Sequence, residues 1–370
     1  MLKNFYTKLF SNHNSERIYG LDIMRAVAIL LVICSHSRFL LFPISNKFDI
    51  MKSWGFYGVE IFFVLSGYLI GGILIKQSQN GFSFKKLKTF WVRRWFRTMP
   101  NYYLVLLFNL IIIFVLKQQS EFNWHFLSFT QNLFNPHPNF YSEAWSLTIE
   151  EWFYIILPFL LVLIFKVIKS TKRAILLSIT IVFLFSFIMR VNAVYTSELS
   201  WDESLRKIVI YRLDSILIGV FSVWVQFYYP SLWKKKYTSL AIGLALLCVA
   251  IFLSETQLYK QPHVFTKIFT FSFFNFGTAF LLPYFSKIRH YKTRLGGIIT
   301  HISIISYSIY LLHYSIIYRI QCKLFYPETG SEGVMAFSAF ILLTILISSI
   351  NYKVFELPMT RLRERFSKNA

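Results

Sequence analysis

The chain has 370 residues, of which 55% are hydrophobic, 19% aromatic and 15% charged, and its formal net charge is +22. This composition excludes an ordinary soluble domain and is typical of a polytopic membrane protein. Nucleic-acid binding would also suit the charge, but the basic residues cluster in alternate loops, as topology signals of membrane proteins do, so no nucleic-acid partner is expected. The three scattered cysteines show neither metal-ligand spacing nor a disulfide framework, and no metal is expected.

About ten apolar stretches are long enough to cross a bilayer as helices, and most begin or end at Trp, Tyr, Lys or Arg. We therefore predict an all-α integral membrane protein, with one membrane-embedded domain over 1–370 and no fused extracytoplasmic domain. The excess of Lys and Arg in alternate loops places both termini in the cytosol. The predicted spans are 19–42, 56–75, 99–117, 145–166, 174–195, 207–229, 238–255, 265–285, 296–320 and 334–356.

The first span contains Arg25 and His36, two ionisable residues that are candidates for a functional role. Eleven helical residues make about three turns, so both side chains point the same way, about 16 Å apart along the axis. Ionisable residues inside a membrane are costly and usually functional. A neutral imidazole there can take the proton of a hydroxyl that attacks an acyl carbonyl. The alternatives are a structural His36, and an Arg25 that pairs with Asp22 at the interface.

A basic, aromatic run at 84–100 contains Arg93, Arg94 and Arg97. Arg94 and Arg97 are three residues apart, so on a helix they share one face. Two guanidinium groups on one face can hold a phosphorylated ligand. The competing interpretation is a basic loop that sets topology and binds anionic lipid head groups.

The segment 143–158 opens the fourth span and contains Trp145 and Glu150. Glu150 lies a few residues inside the aromatic anchor Trp145, so its expected depth is close to that of His36. A carboxylate beside His36 would orient the ring and stabilise its protonated form. The alternative is a solvated carboxylate at the interface.

Polar side chains also occur in the second and ninth spans. Ser66 and Tyr68 lie in the second, and Tyr310 and His313 lie three residues apart in the ninth. Polar groups inside a membrane must face the bundle interior or a water-filled cavity. Together with Trp145, these four residues are predicted to line a substrate channel, although a hydrogen-bonded packing pair is the simpler explanation of Tyr310 and His313.

Taken in order, these motifs resemble the membrane-bound acyltransferase family 3, integral-membrane enzymes that include bacterial polysaccharide O-acetyltransferases. The elements that carry the resemblance are GLDIMRAVAILLVICSH (20–36), GVEIFFVLSGYLI (58–70), VRRWFRTMP (92–100), EAWSLTIEEWFYIILP (143–158), YRLDSILIGV (211–220) and SYSIYLLH (306–313). The resemblance implies a bundle of ten spanning helices in the inner (plasma) membrane, in contact with its lipids.

The resemblance also implies an activity, the transfer of an acyl group, usually acetyl, from cytosolic acyl-CoA to a hydroxyl. The acceptor would be a sugar, a polysaccharide or a lipid-linked saccharide. In this scheme His36 is the general base and Glu150 orients it, while Arg25, Arg93, Arg94 and Arg97 hold acetyl-CoA.

Other interpretations of the same residues stay open at this stage. An acyl-His36 intermediate would be an alternative to direct transfer. A secondary transporter or exporter of a sugar or acyl-sugar would be an alternative to an enzyme. The sequence leaves open the acyl group, the acceptor and whether the protein forms a homodimer.

Overall fold

A computed structural model describes residues 17–79, 81–117, 121–259, 263–291 and 293–367, and within these ranges the regular structure is helical. The helices are α1 Tyr19–Ser37, α2 Trp54–Ser78, α3 Phe84–Val115, α4 His125–Ser128, α5 Ala144–Phe165, α6 Thr171–Thr196, α7 Leu213–Tyr228, α8 Pro230–Lys234, α9 Lys236–Tyr259, α10 Val264–Phe285, α11 Arg294–Leu312, α12 Arg319–Leu324, α13 Gly330–Asn351 and α14 Leu357–Ser367. A π-helical turn over His313–Tyr318 joins α11 to α12, and another over Tyr352–Glu356 joins α13 to α14.

The described residues contain nine helical segments that are long and apolar enough to cross a bilayer. The tenth predicted span, 207–229, coincides with α7, an apolar helix of only 16 residues. α7 is shorter because the chain before it forms a 3-10 turn at Val209–Tyr211, so that the regular α-helix begins only at Leu213. The prediction of an all-α membrane bundle is confirmed.

The long helices alternate in direction and so define two faces of the bundle. We call the end where α1 begins and α2 ends the basic face, because the basic run that opens α3 lies there. Thr171, at the start of α6, donates a hydrogen bond to the Ser78 carbonyl at this face (2.8 Å). At the opposite end, the far face, Ser35 near the end of α1 donates to the Lys52 carbonyl just before α2 (2.9 Å).

Helix α2 lies against α7 with almost no space between the two backbones. A Cβ atom added to Gly67 would lie 1.9 Å from the Ile216 carbonyl oxygen, and one added to Gly219 would lie 2.1 Å from the Val64 carbonyl oxygen. Close approach through small residues is how helices gain packing energy in a bilayer, where lipid is as apolar as the side chains.

Two fully buried ion pairs hold α7 against its neighbours. Arg212, just before α7, pairs with Glu60 of α2 at 2.6 Å, and Arg190 of α6 pairs with Asp214 of α7 at 2.7 Å. Asn275 of α10 donates a further hydrogen bond to Glu60 (2.9 Å). Buried charges are tolerated only when they are paired and hydrogen-bonded. This network ties four helices together and fixes the position of α2.

Candidate functional site

In the part of the chain that the structure describes, two cavities follow one another along α1. The arginine cavity, of about 330 Å³, is lined among others by Arg25, Arg94, Arg97, Glu150, Ser66 and Tyr154. The histidine cavity, of about 310 Å³, is lined among others by His36, Arg38, Trp145, Arg206, Lys207 and Tyr314. Val59 and Tyr310 line both cavities.

Arg94 and Arg97 project from α3 into the arginine cavity. The helix starts at Phe84, where Ser83 caps it by accepting a hydrogen bond from the Lys86 amide. Within the described part of the chain, neither guanidinium group makes a hydrogen bond or an ion pair, which leaves two cations available to an anionic ligand. Arg93, which was also expected to hold the donor, lies outside the lining of this cavity.

Arg25 lines the same cavity but is already engaged. Its guanidinium lies 3.5 Å from the Asp22 carboxylate and donates to the Ser303 hydroxyl (3.2 Å). Asp22 also accepts from Arg17 and from Ser303, so it is firmly held. The pairing that the sequence offered as an alternative is therefore present, and it orients Arg25 toward the cavity.

Glu150 lies in the arginine cavity rather than beside His36. The Tyr154 hydroxyl lies 3.3 Å from its carboxylate and 2.8 Å from the Ser66 hydroxyl. The His36 ring is hydrogen-bonded to His313, so the structure does not show the expected contact between Glu150 and His36. The physical reason is the direction of α5, which places Trp145 in the histidine cavity and Glu150 more than a turn further toward the basic face.

His36 occupies the last turn of α1, at the wall of the histidine cavity. Its Nδ1 lies 2.6 Å from Nε2 of His313, and its ring centroid lies 4.6 Å from that of Tyr314. His313 is fully buried and begins the π-helical turn after α11. The side chain expected to line a channel thus contacts the expected base directly.

The π-helical turn is anchored by Glu143, which sequence analysis did not single out. Its carboxylate accepts from both the amide (3.1 Å) and the hydroxyl (2.7 Å) of Ser315, two residues after His313. Burial raises the pKa of Glu143 to about 7, although the Ser315 hydrogen bonds act in the opposite direction. The two hydrogen bonds fix the local conformation of the turn beside His313.

Four charged residues between α6 and α7 were also missed. Arg206 pairs with Asp202 and Lys207 pairs with Glu203, each at 2.6 Å, and the four groups line the histidine cavity. The Arg206 guanidinium lies over the Trp145 ring, 4.7 Å from its centroid. Burial favours a higher pKa for Asp202, but the charges of Arg206 and Lys207 outweigh it and hold the pKa below its usual range. The signal was the run DESLRK, whose opposite charges are spaced four apart.

The remaining expected channel residues separate into two groups. Tyr310 and Ser66 line the arginine cavity, and the Tyr310 hydroxyl is held by the Ser146 hydroxyl (2.6 Å) and the Glu143 carbonyl (3.0 Å). Tyr68 lies elsewhere, because its hydroxyl donates to Gln226 (2.7 Å) and its ring stacks on Trp233. Tyr68 is a packing residue outside both cavity linings.

Comparison with known proteins gives one family and several relatives. A family profile described as "Acyltransferase domain" matches residues 18–352. The peptidoglycan O-acetyltransferase OatA of Listeria monocytogenes is 27% identical, over 96% of this chain and 57% of its own length. A Bacillus subtilis protein provisionally named peptidoglycan O-acetyltransferase YrhL is 29% identical, over 92% of this chain and 55% of its own.

A Staphylococcus aureus (strain COL) protein provisionally assigned as an O-acetyltransferase is 27% identical, over 96% of this chain and 59% of its own length. The chain thus spans less than two thirds of the curated relatives it matches. No solved structure matches the chain.

Proposed function

Because this chain belongs to the acyltransferase family whose profile matches residues 18–352, we propose that it transfers an acetyl group from acetyl-CoA to a saccharide hydroxyl. Relatives named as peptidoglycan O-acetyltransferases support a cell-wall saccharide as the acceptor. The excess of basic residues at the basic face supports an orientation with that face in the cytosol of a plasma-membrane protein.

The arginine cavity is the proposed donor site. Arg94 and Arg97 offer two unpaired guanidinium groups to the phosphates of coenzyme A, and Arg25 lines the same cavity. From Arg25 to His36 the helix rises about 16 Å. The pantetheine arm, extended toward the far face, would present the thioester near Val59 and Tyr310.

The histidine cavity is the proposed acceptor site. His36 takes the proton of the acceptor hydroxyl while the oxygen attacks the thioester carbonyl. The C–S bond then breaks, the acetyl group stays on the acceptor oxygen, and the protonated His36 returns its proton to the thiolate of coenzyme A. The paired charges and the aromatic rings of Trp145 and Tyr314 suit a polar, uncharged sugar better than a highly charged polymer.

One observation carries this proposal. Unpaired cations and the half-buried imidazole of His36 lie in two neighbouring cavities that share Val59 and Tyr310, in a chain of the acyltransferase family. A phosphate-bearing donor at one end and a hydroxyl acceptor at the other would meet where the two cavities adjoin.

The test uses the purified protein in lipid nanodiscs with acetyl-CoA and a peptidoglycan fragment as acceptor. We expect acceptor-dependent release of the free thiol of coenzyme A, and its loss in His36→Gln. The matched control is His301→Gln, which changes a histidine of α11 that hydrogen-bonds Ser349 outside both cavity linings. Equal turnover by the wild type and His36→Gln would overturn the role of His36, and saccharide flux in liposomes without thiol release would favour a transporter.

A further inference from the structure

The hydrogen bonds of His313 determine where its proton lies. Its Nδ1 lies 2.8 Å from the Tyr310 carbonyl oxygen and 3.1 Å from the Ile309 carbonyl oxygen. A carbonyl oxygen only accepts, so Nδ1 of His313 must carry a proton. In the described part of the chain no carboxylate pairs with either histidine, and a charged ring buried there would lack a counter-ion. His313 is therefore neutral, and its Nε2 carries a lone pair.

The lone pair on Nε2 of His313 determines which ring nitrogen of His36 is protonated. The two nitrogens are 2.6 Å apart, so one must donate to the other, and the only available donor is Nδ1–H of His36. The ring centroids lie 4.9 Å apart with planes inclined by 10°. Because the nitrogens are much closer than the centroids, the rings meet edge to edge, as an N–H···N hydrogen bond requires.

The remaining nitrogen of His36, Nε2, is then unprotonated and lies on the side of the histidine cavity. It is close to Gly55, since a Cβ atom at that position would lie 4.0 Å away, and both residues line this cavity. A hydroxyl that enters from the far face can reach this lone pair without displacing His313.

We propose that His313 is a positioning residue that holds the proton of His36 on Nδ1 and leaves Nε2 free to accept the proton of the acceptor hydroxyl. The proposal rests on the acyl transfer proposed above. His313 takes the place of the buried carboxylate in a Ser–His–Asp triad, as a neutral acceptor that fixes tautomer and ring orientation. Glu143, through Ser315, holds the turn that presents His313, and π-helical turns often occur at functional sites.

The first arm of the test determines which ring nitrogen of His36 carries the proton. Protein labelled with 15N-histidine, in lipid bilayers, is compared with His36→Gln by solid-state NMR, which identifies the His36 signals. In the wild type and in His313→Gln we expect His36 to have a protonated Nδ1 and an unprotonated Nε2. In His313→Gln the amide oxygen of the new side chain replaces Nε2 of His313 as the acceptor. We expect loss of this pattern in His313→Leu. A wild type with a protonated Nε2 on His36 would overturn the proposal.

The second arm measures turnover. His313→Leu should lower kcat by about tenfold or more, because part of the His36 population has the wrong tautomer, while KM for acetyl-CoA stays unchanged. His313→Gln should recover part of the loss, and His301→Gln on the same helix should equal the wild type. Equal losses in the Leu and Gln variants, or unchanged kcat in both, would overturn the proposal. If the wild type transfers no acetyl group, the proposed function fails, while the NMR arm still decides the state of His36.

Discussion

Val59 and Tyr310 form the partition between the arginine cavity and the histidine cavity, because both side chains line both spaces. Val59 is buried on α2, and the Tyr310 hydroxyl is fixed by Ser146 and by the Glu143 carbonyl. In the proposed reaction the thioester has to reach His36 past these two side chains.

Narrowing this partition should block transfer while leaving the binding of the donor phosphates intact. Val59→Phe adds a ring where the cavities adjoin, and we expect a loss of acetyl transfer of about 100-fold, since small displacements of reacting groups are costly. The affinity for coenzyme A, measured by isothermal titration calorimetry, should fall far less than in the Arg94 and Arg97 variants, because those two side chains are untouched and only the end of the pantetheine arm lies near Val59. The matched control is Val27→Phe, the same change at an exposed position of α1. Normal transfer by Val59→Phe would show that the thioester takes another route.

The unpaired guanidinium groups should determine the affinity for the donor phosphates. Arg94→Gln or Arg97→Gln each removes a charged hydrogen-bond donor worth about 1.5–3 kcal/mol, roughly a ten- to hundredfold rise in Kd for coenzyme A. The effect should shrink for acetylpantetheine, which lacks the nucleotide phosphates, and the wild-type affinity should fall as salt is raised. Arg93→Gln, outside the cavity lining, serves as the control. Identical affinities for coenzyme A in all three variants would favour a lipid-binding role for the basic run at 84–100.

Breaking the buried pair of Arg212 and Glu60 should destabilise the bundle strongly. Arg212→Met leaves the Glu60 carboxylate without its counter-ion, and we expect a loss of about 3–5 kcal/mol in the free energy of unfolding, measured by SDS titration in mixed micelles. The double variant with Glu60→Gln should recover much of this loss. As a comparison, Lys207→Met breaks a pair with the exposed Glu203 and should cost less than about 1 kcal/mol. Strictly additive losses in the double variant would argue against the pair as the cause.

The close contact of α2 with α7 should not tolerate a single added methyl group. Gly67→Ala would place its Cβ 1.9 Å from the Ile216 carbonyl, so the helices must move apart, at a cost of about 1–3 kcal/mol or more. Gly72→Ala on the same helix has its nearest neighbour at 3.7 Å and is the control. The melting temperature in detergent should fall in Gly67→Ala alone. Equal melting temperatures would show that the contact relaxes easily.

Much of the fold followed from local sequence properties. Apolar length predicted the spans, with α7 the one that falls short, because hydrophobic length is set within each segment. Helical spacing likewise predicted that Arg94 and Arg97 share a face, and both line one cavity. Sequence analysis missed the charged residues around Arg206, because the spacing of their charges predicts local ion pairs but not which cavity of the bundle the segment will line.

The sequence by itself determined which segments enter the membrane and which polar groups each helix carries there, since both are written into the order of residues along a single helix. Only the tertiary structure decided which of those groups meet. His36 contacts His313, 277 residues away, rather than Glu150, and Tyr68 packs against Trp233 rather than facing a cavity. Those choices depend on how helices cross, rotate and shift against one another, and side-chain packing between distant segments sets these quantities.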